Sequence, residues 1–299
     1  MKPIVGIGEL LWDIYPDGRT VAGGAPFNFA FHCHNLGHPA AVVSRVGDDD
    51  LGRELRERVR ELGLSDEFIQ LDRDHPTGTV RVALDANKVP TYTITENVAW
   101  DHIAWDDKLA ALSEAARAVC FGSLAVRAEV SFDAISAFGR GRDTVRVFDV
   151  NLRQTYFSRA TIEWGLARAH WVKVSEEELP TLAALFGITA EPDALFAKFH
   201  QSLLLPGQLL IVTKGADGAE LLWPEHDECI CEAGVLVNVA DTVGAGDSFT
   251  AAMLCLTHEG RSHREAARFA VHYAARVCEH HGATPRIDRA EVERAAGLS

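Results

Sequence analysis

Long apolar runs are missing from this chain. No stretch approaches the roughly 18 residues that a membrane-spanning helix requires, so no membrane role is expected. The opening Met1-Lys2-Pro3-Ile4-Val5-Gly6-Ile7 reads as an immediate strand, without the charged, apolar and small-residue pattern of a secretory signal. Basic residues are scarce: 29 Lys and Arg stand against 43 Asp and Glu, giving a net charge of −14. That balance argues against a nucleic-acid backbone or an anionic membrane as the main partner. An anionic ligand must then be held by local cations and backbone N–H groups, with or without a divalent metal. The six cysteines are scattered through 299 residues, which excludes a dense disulfide scaffold and points to reduced thiols in a cytoplasmic protein. Cys229 and Cys231 form the one close pair. On a strand both thiols would share a face, but without a second pair a metal site is not expected. His32-Cys33-His34 falls on a helix, where residues two apart point in different directions, and His280-His281 falls at a helix end. No His-Glu-x-x-His spacing occurs. Two nucleotide motifs are also absent. There is no Gly-x-x-x-x-Gly-Lys-Ser/Thr, and Gly6-Ile7-Gly8 lacks the third glycine of the dinucleotide fingerprint, Leu11 standing there instead.

Strand-like and helix-like segments alternate from end to end, which predicts an α/β protein with a mostly parallel central sheet flanked by helices on both faces. Strands are expected at 4–7, 41–46, 118–121, 145–150, 171–174 and 209–213. Helices are expected at 28–36, 52–62, 108–115, 132–138, 176–186, 193–201, 247–258 and 263–278. The length and the lack of linkers or repeats suggest one domain over residues 1–299. One region breaks the alternation. Val80, Val82 and Leu84 alternate with Thr79, Arg81 and Ala83, a turn follows at Asp85-Ala86-Asn87-Lys88, and Tyr92 and Ile94 alternate with threonines. This period of two predicts a hairpin. A second extended pair, 11–15 and 20–22, surrounds Asp17-Gly18. Together they suggest a small β-sheet lid, from about 11–22 and 79–95, able to exclude water from a reaction.

The chemistry concentrates at Asp241-Thr242-Val243-Gly244-Ala245-Gly246-Asp247, joined directly to a helix-like run. Glycines allow close backbone approach, and a helix start offers N–H groups and a positive dipole end to an anion. An aspartate beside them can take a proton from a hydroxyl, the arrangement that phosphoryl transfer to an alcohol requires. Alone, the stretch also fits a turn whose Asp caps a core helix. Gly23-Gly24-Ala25-Pro26-Phe27-Asn28 is a second glycine-opened helix, with Asn28 offering donor and acceptor to a polyol or merely capping. Asp13 is a carboxylate inside an apolar strand and needs hydroxyls or donors nearby. Polar groups recur at the C-terminal ends of expected parallel strands, where open α/β sheets bind ligands. Asn151 and Arg153 follow one strand, Lys173, Ser175 and Glu178 another, and Thr213-Lys214-Gly215 a third. Arg153 has the planar donors for a phosphate.

With these motifs, the chain resembles the ribokinase-like (PfkB) family of carbohydrate kinases. Gly23 to Asn28 matches the family's first motif and Asp241 to Asp247 its second, and 46–52 and 149–153 also fit. The likeness runs from Gly8 to Pro285. Within the family it is most similar to bacterial fructokinases, supported by 8–13, 75–80 and 96–101. The resemblance implies a ribokinase-like fold and ATP-dependent phosphorylation of a sugar hydroxyl with Mg²⁺, most specifically fructose to fructose 6-phosphate. It implies Asp247 as base and the N–H groups of Gly244, Ala245 and Gly246 as the anion hole. Asp13, Gly24 and Asn28 would hold the sugar, with Tyr92, Trp100, Asn151 and Arg153 contributing. Lys173, Ser175, Thr213, Lys214, Gly215, Gly218, Gly246 and Gly282 would border the nucleotide. Glu178 would hold Mg²⁺ through water, and the backbone near Asp241 and Gly282 a monovalent cation such as K⁺. A homodimer through the lid is a further implication. Other members act on 2-keto-3-deoxygluconate, other sugars or nucleosides, and a non-catalytic sugar- or nucleotide-binding regulator is the reading from a different class. In one place the chain departs from the family. Ser175 stands where Asn is usual in an Asn-x-x-Glu pattern, so an amide donor is lost while the carboxylate of Glu178 is kept.

Overall fold

The computed structural model describes residues 2–84, 90–141, 143–189, 192–223 and 229–298. Parallel strands joined through helices dominate, as their β-branched, fully buried sequences dictate. The chain divides into two units.

The first unit comprises residues up to His34, His38–Phe121 and Ala125–Thr144. It begins with β1 (Ile4–Ile7), β2 (Leu11–Ile14) and β3 (Thr20–Gly23), followed by α1 (Ala25–Asn35), β4 (Ala40–Gly47) and α2 (Asp50–Glu61). Next come β5 (Ile69–Asp72), β6 (Gly78–Leu84), β7 (Pro90–Ile94), α3 (Asp107–Ala115), β8 (Ala118–Gly122) and α4 (Glu129–Ala137). β1 pairs in parallel with β4 and β8, and β4 in parallel with β5. α2 starts where Asp49 accepts the Gly52 amide at 2.8 Å, and the same carboxylate takes the Thr77 amide and hydroxyl. These bonds hold Asp49 below the usual carboxylate range against the opposing pull of burial. Leu10, Phe27, Phe31, Val42, Leu55 and Val59 are completely or almost completely buried in one core cluster. Each such side chain contributes about 1.5–3 kcal/mol by leaving water.

The expected second sheet is present, with four strands in the order β3-β2-β6-β7. β2 pairs antiparallel with β3 and parallel with β6, and β6 antiparallel with β7. Val80, Val82 and Ile94 are buried while Arg81 and Ala83 are exposed, so the alternation read from the sequence sets the inward face. The turn expected at Asp85-Ala86-Asn87-Lys88 lies outside the described residues.

The second unit comprises Asn35–Gly37, Gly122–Leu124 and Val145–Ser299. Its strands and helices are β9 (Val145–Asp149), α5 (Arg159–Arg168), β10 (Trp171–Ser175), α6 (Leu179–Phe186), α7 (Pro192–Leu203), β11 (Leu209–Thr213), β12 (Gly218–Leu222) and β13 (Ile230–Ala233). They are followed by α8 (Ala245–His258), α9 (His263–Cys278) and α10 (Arg289–Ala295). β9, β10 and β11 are parallel neighbours, and β12 and β13 then run antiparallel. Ser248 to Leu256 of α8 are all buried, so this helix is covered around its circumference and lies inside the unit, the Ser248 and Thr250 hydroxyls bonding the Ala245 and Gly246 carbonyls. Among the described residues, no helix is long and apolar enough to cross a membrane.

Candidate active site

The stretch with the strongest chemical signal lies in the second unit. Gly244 is the residue before α8 and adopts the left-handed conformation at φ 79°. A Cβ there would meet the Cα of Ala283 at 2.8 Å, so both the backbone angle and the space call for glycine. No side chain caps the start of α8, and Asp247 sits in its first turn. A helix start without a side-chain cap keeps its dipole and N–H groups available to an anion. One of the three expected amide donors is already engaged, however. Ala245 N–H closes the turn on the Thr242 carbonyl at 3.2 Å. The preceding loop is pinned by Asp241, whose two carboxylate oxygens accept the Val243 and Gly282 amides, each at 3.0 Å. Asp241 therefore organises the backbone of this loop.

The strand ends of the second unit converge chemically. Ser175 ends β10 and Thr213 ends β11, and the two stand opposite each other in register. Glu178 accepts the Ser175 amide at 2.7 Å and the Leu152 amide at 2.5 Å, so its carboxylate ties two strand ends together. Asn151 leaves β9 with φ 42°, a left-handed angle that asparagine tolerates better than most residues. Arg153 is exposed. Gly215 and Gly218 flank the turn into β12, and Gly282 follows α9, all three at positive φ.

Both lysines expected beside a nucleotide are already paired. Lys214 donates to Glu220 at 3.0 Å and lies 3.7 Å from Glu176. Lys173 is buried and donates to Asp149 at 3.1 Å. Burial, reinforced by the charges of Asp247 and Glu178, pushes the Asp149 carboxyl up to about 6 despite the pull of Lys173. Burial lowers Lys173, but Asp149, Glu178 and Asp247 outweigh it and hold the ammonium above its ordinary value. Asp149 bonds the ammonium directly, and the charges of Glu178 and Asp247 also favour it. The reading from sequence missed this pair, although a Lys within Trp171-Val172-Lys173-Val174 and an Asp after Val147-Phe148 are charges inside buried strands and need each other.

In the first unit, Asp13 lies on β2 between Val21 and Val80. Its Oδ2 is 2.9 Å from where a Cβ on Gly23 would stand, so the first glycine of the motif makes room for this carboxylate. Gly24 adopts φ 120° and passes against the Glu9 carbonyl where a Cβ has no space. Asn28 is buried one turn into α1, and its backbone N–H donates to the Gly24 carbonyl at 2.9 Å. The Ala25 amide, at the start of α1, is met by the carboxylate of Glu9 at 3.1 Å, a residue given no role from sequence. Tyr92 is half exposed on β7. Trp100 is wholly buried, with the Arg127 guanidinium 4.1 Å above its ring. Arg127 also holds Asp101 through two bonds of 2.7 and 2.8 Å. Trp100 is thus packed against this buried ion pair.

Known proteins resemble this chain over most of its length. The family model described as pfkB family carbohydrate kinase matches residues 15–289. The fructokinase of Klebsiella pneumoniae is 30% identical over 261 residues, covering 83% of this chain and 82% of its own. An uncharacterized sugar kinase from Pyrococcus horikoshii superposes with a TM-score of 0.84 at 27% identity, over 99% of each chain. A double mutant of the Vibrio cholerae fructokinase, in its fructose-, ADP- and potassium-bound form, superposes at 0.78 with 25% identity over 98% of each chain. The ribokinase-like fold expected from the sequence is the one observed.

Proposed function

Because the chain belongs to the pfkB family of carbohydrate kinases, we propose that it transfers the terminal phosphoryl group of ATP to fructose, giving fructose 6-phosphate. The observation that carries this reading is the start of α8, where a left-handed Gly244, no side-chain cap and Asp247 in the first turn occur together. Asp247 takes the proton of the attacking hydroxyl. The N–H groups of the turn bind the anionic phosphoryl group, which needs positioning and charge stabilisation more than covalent help. Asp13, Gly24 and Asn28 are assigned to the sugar, and Ser175, Thr213, Gly215, Gly218 and Gly282 to the nucleotide. Fructose is favoured because the fructokinase of Klebsiella pneumoniae is 30% identical across most of this chain.

Mg²⁺ fits the donor chemistry of the second unit. The Glu178 carboxylate is fixed by two backbone amides, which leaves lone pairs to hold the water of a hydrated ion. Bound there, the metal would neutralise phosphate charge. A monovalent cation would take backbone carbonyls beside Asp241 and Gly282.

A coupled ADP-release assay tests the reading across fructose, other hexoses, 2-keto-3-deoxygluconate and nucleosides. Fructose should give the highest kcat/KM. A higher value for another acceptor would reassign the substrate and leave the kinase chemistry intact. Thermal stabilisation by sugar or ATP without any ADP release would instead indicate a binding protein.

A further inference from the structure

The reaction as read above does not use the buried pair of Lys173 and Asp149. The register of β9 and β10 sets these residues side by side, and their side chains are only 7% and 5% exposed. A buried ion pair is poor evidence of a stabilising role, because apolar residues of similar volume often serve as well or better. Its position suggests another use. The Lys173 Nζ lies 2.9 Å from where a Cβ on Gly246 would stand. The ammonium is therefore seated against the first turn of α8, one residue before Asp247. A side chain at position 246 would displace it. Of the three carboxylates acting on this cation, Asp149 bonds it directly and Glu178 is occupied by two amides. Asp247 has been read as the base.

We propose that Lys173 is a positioning residue for phosphoryl transfer: held by Asp149 against Gly246, its ammonium favours the carboxylate of Asp247 and offsets the anionic charge that arrives at the start of α8. Asp149 has the complementary task of keeping the cation in place. The inference rests on the assignment of Asp247 as the base.

The test compares Lys173→Met, Asp149→Asn and the double variant in the full-length enzyme, with kcat and sugar KM measured against pH. Lys173→Met removes the cation beside the base, so the acid limb of kcat should move up by about 1–3 pH units, with sugar KM unchanged. Asp149→Asn removes a competing anion while the cation stays, so the limb should move down. A bond that served folding alone would not give opposite displacements from its two halves. Where Lys173→Met fails to fold, the double variant buries no unpaired charge and should show the same upward movement. Limbs that stay in place, or that move in the same direction for the two single variants, would overturn the proposal. Asp247→Asn is the control for the reading beneath it: near-normal turnover in that folded variant would remove the base itself, whatever the pair does.

Discussion

The two glycine-opened helices of this chain look alike in sequence and differ in how their first amides are met. α1 begins after Gly24 and α8 after Gly244, both glycines at positive φ. At α1 the protein supplies its own anion, the Glu9 carboxylate on the Ala25 amide. At α8 no side chain caps the helix, and an aspartate and a buried ammonium stand close by. The same backbone device is therefore closed by a side-chain carboxylate in one unit and by a backbone carbonyl, that of Thr242, in the other. A Gly-Gly or Gly-x-Gly before a helix does not by itself mark an anion site; what satisfies the first turn decides.

Substitutions can break or sharpen this contrast. The largest effect is expected from Asp247→Asn, which should lower kcat by about 10²–10⁴, the span of general base catalysis. Steady-state assays on the folded variant check this, and turnover near the parent value would exclude the base assignment. Next come the glycines themselves. Gly244→Ala and Gly24→Ala each force a side chain into left-handed backbone and a crowded contact, so each should cost about 1–3 kcal/mol in urea unfolding. Their kinetics should diverge, with Gly244→Ala lowering kcat and Gly24→Ala raising sugar KM. Identical kinetic signatures would dissolve the distinction between the two helix starts.

A pH dependence of similar or smaller size belongs to the α8 side. The folded Asp149 carboxyl titrates near 6 and the unfolded one near 3.8. The native state then binds more protons than the unfolded state between about pH 4 and 6, so this residue's contribution to stability falls as pH rises through that window. Urea unfolding of the parent and of Asp149→Asn across the window should show a more negative slope in the parent than in the variant. Equal slopes would contradict the assignment. The smallest effect is expected for Glu9→Gln, which keeps the shape and removes the charge from the α1 start, costing about 0.3–1 kcal/mol and leaving kcat unchanged.

Much of this arrangement was legible in the sequence because period and punctuation carry it. β1, β11 and α9 have the boundaries expected of them, and the period-two runs place the second sheet. α5 was missed: its apolar positions are sparse, and its start depends on a reciprocal pair of bonds between Ser158 and Thr161. β12 and β13 were missed too, because short antiparallel strands with mixed polarity carry little periodic signal. In the site, residue types and spacing pointed to Gly244, Asp247, Glu178 and Asn28. They did not reveal which groups were already spent. The engagement of Lys173 and of Trp100 follows from tertiary neighbours, which no local pattern encodes. Glu9 shows the same limit in reverse, since a lone glutamate after a strand carries no hint of the helix it will cap.

β13 has a consequence of another kind. The strand is four residues long, runs antiparallel to its one neighbour, β12, and ends the strand order of the second unit. Its Glu232 faces Arg264 at 3.6 Å and Arg268 at 3.4 Å, both from α9. A border that is short, charged and tethered to a helix is a poor template for a strand from another molecule. The parallel sheet, rich in Val, Ile and Leu, would otherwise be the stickiest part of the chain. Replacing Glu232 with an apolar residue should therefore show first as clumping at high concentration, before any change in catalysis.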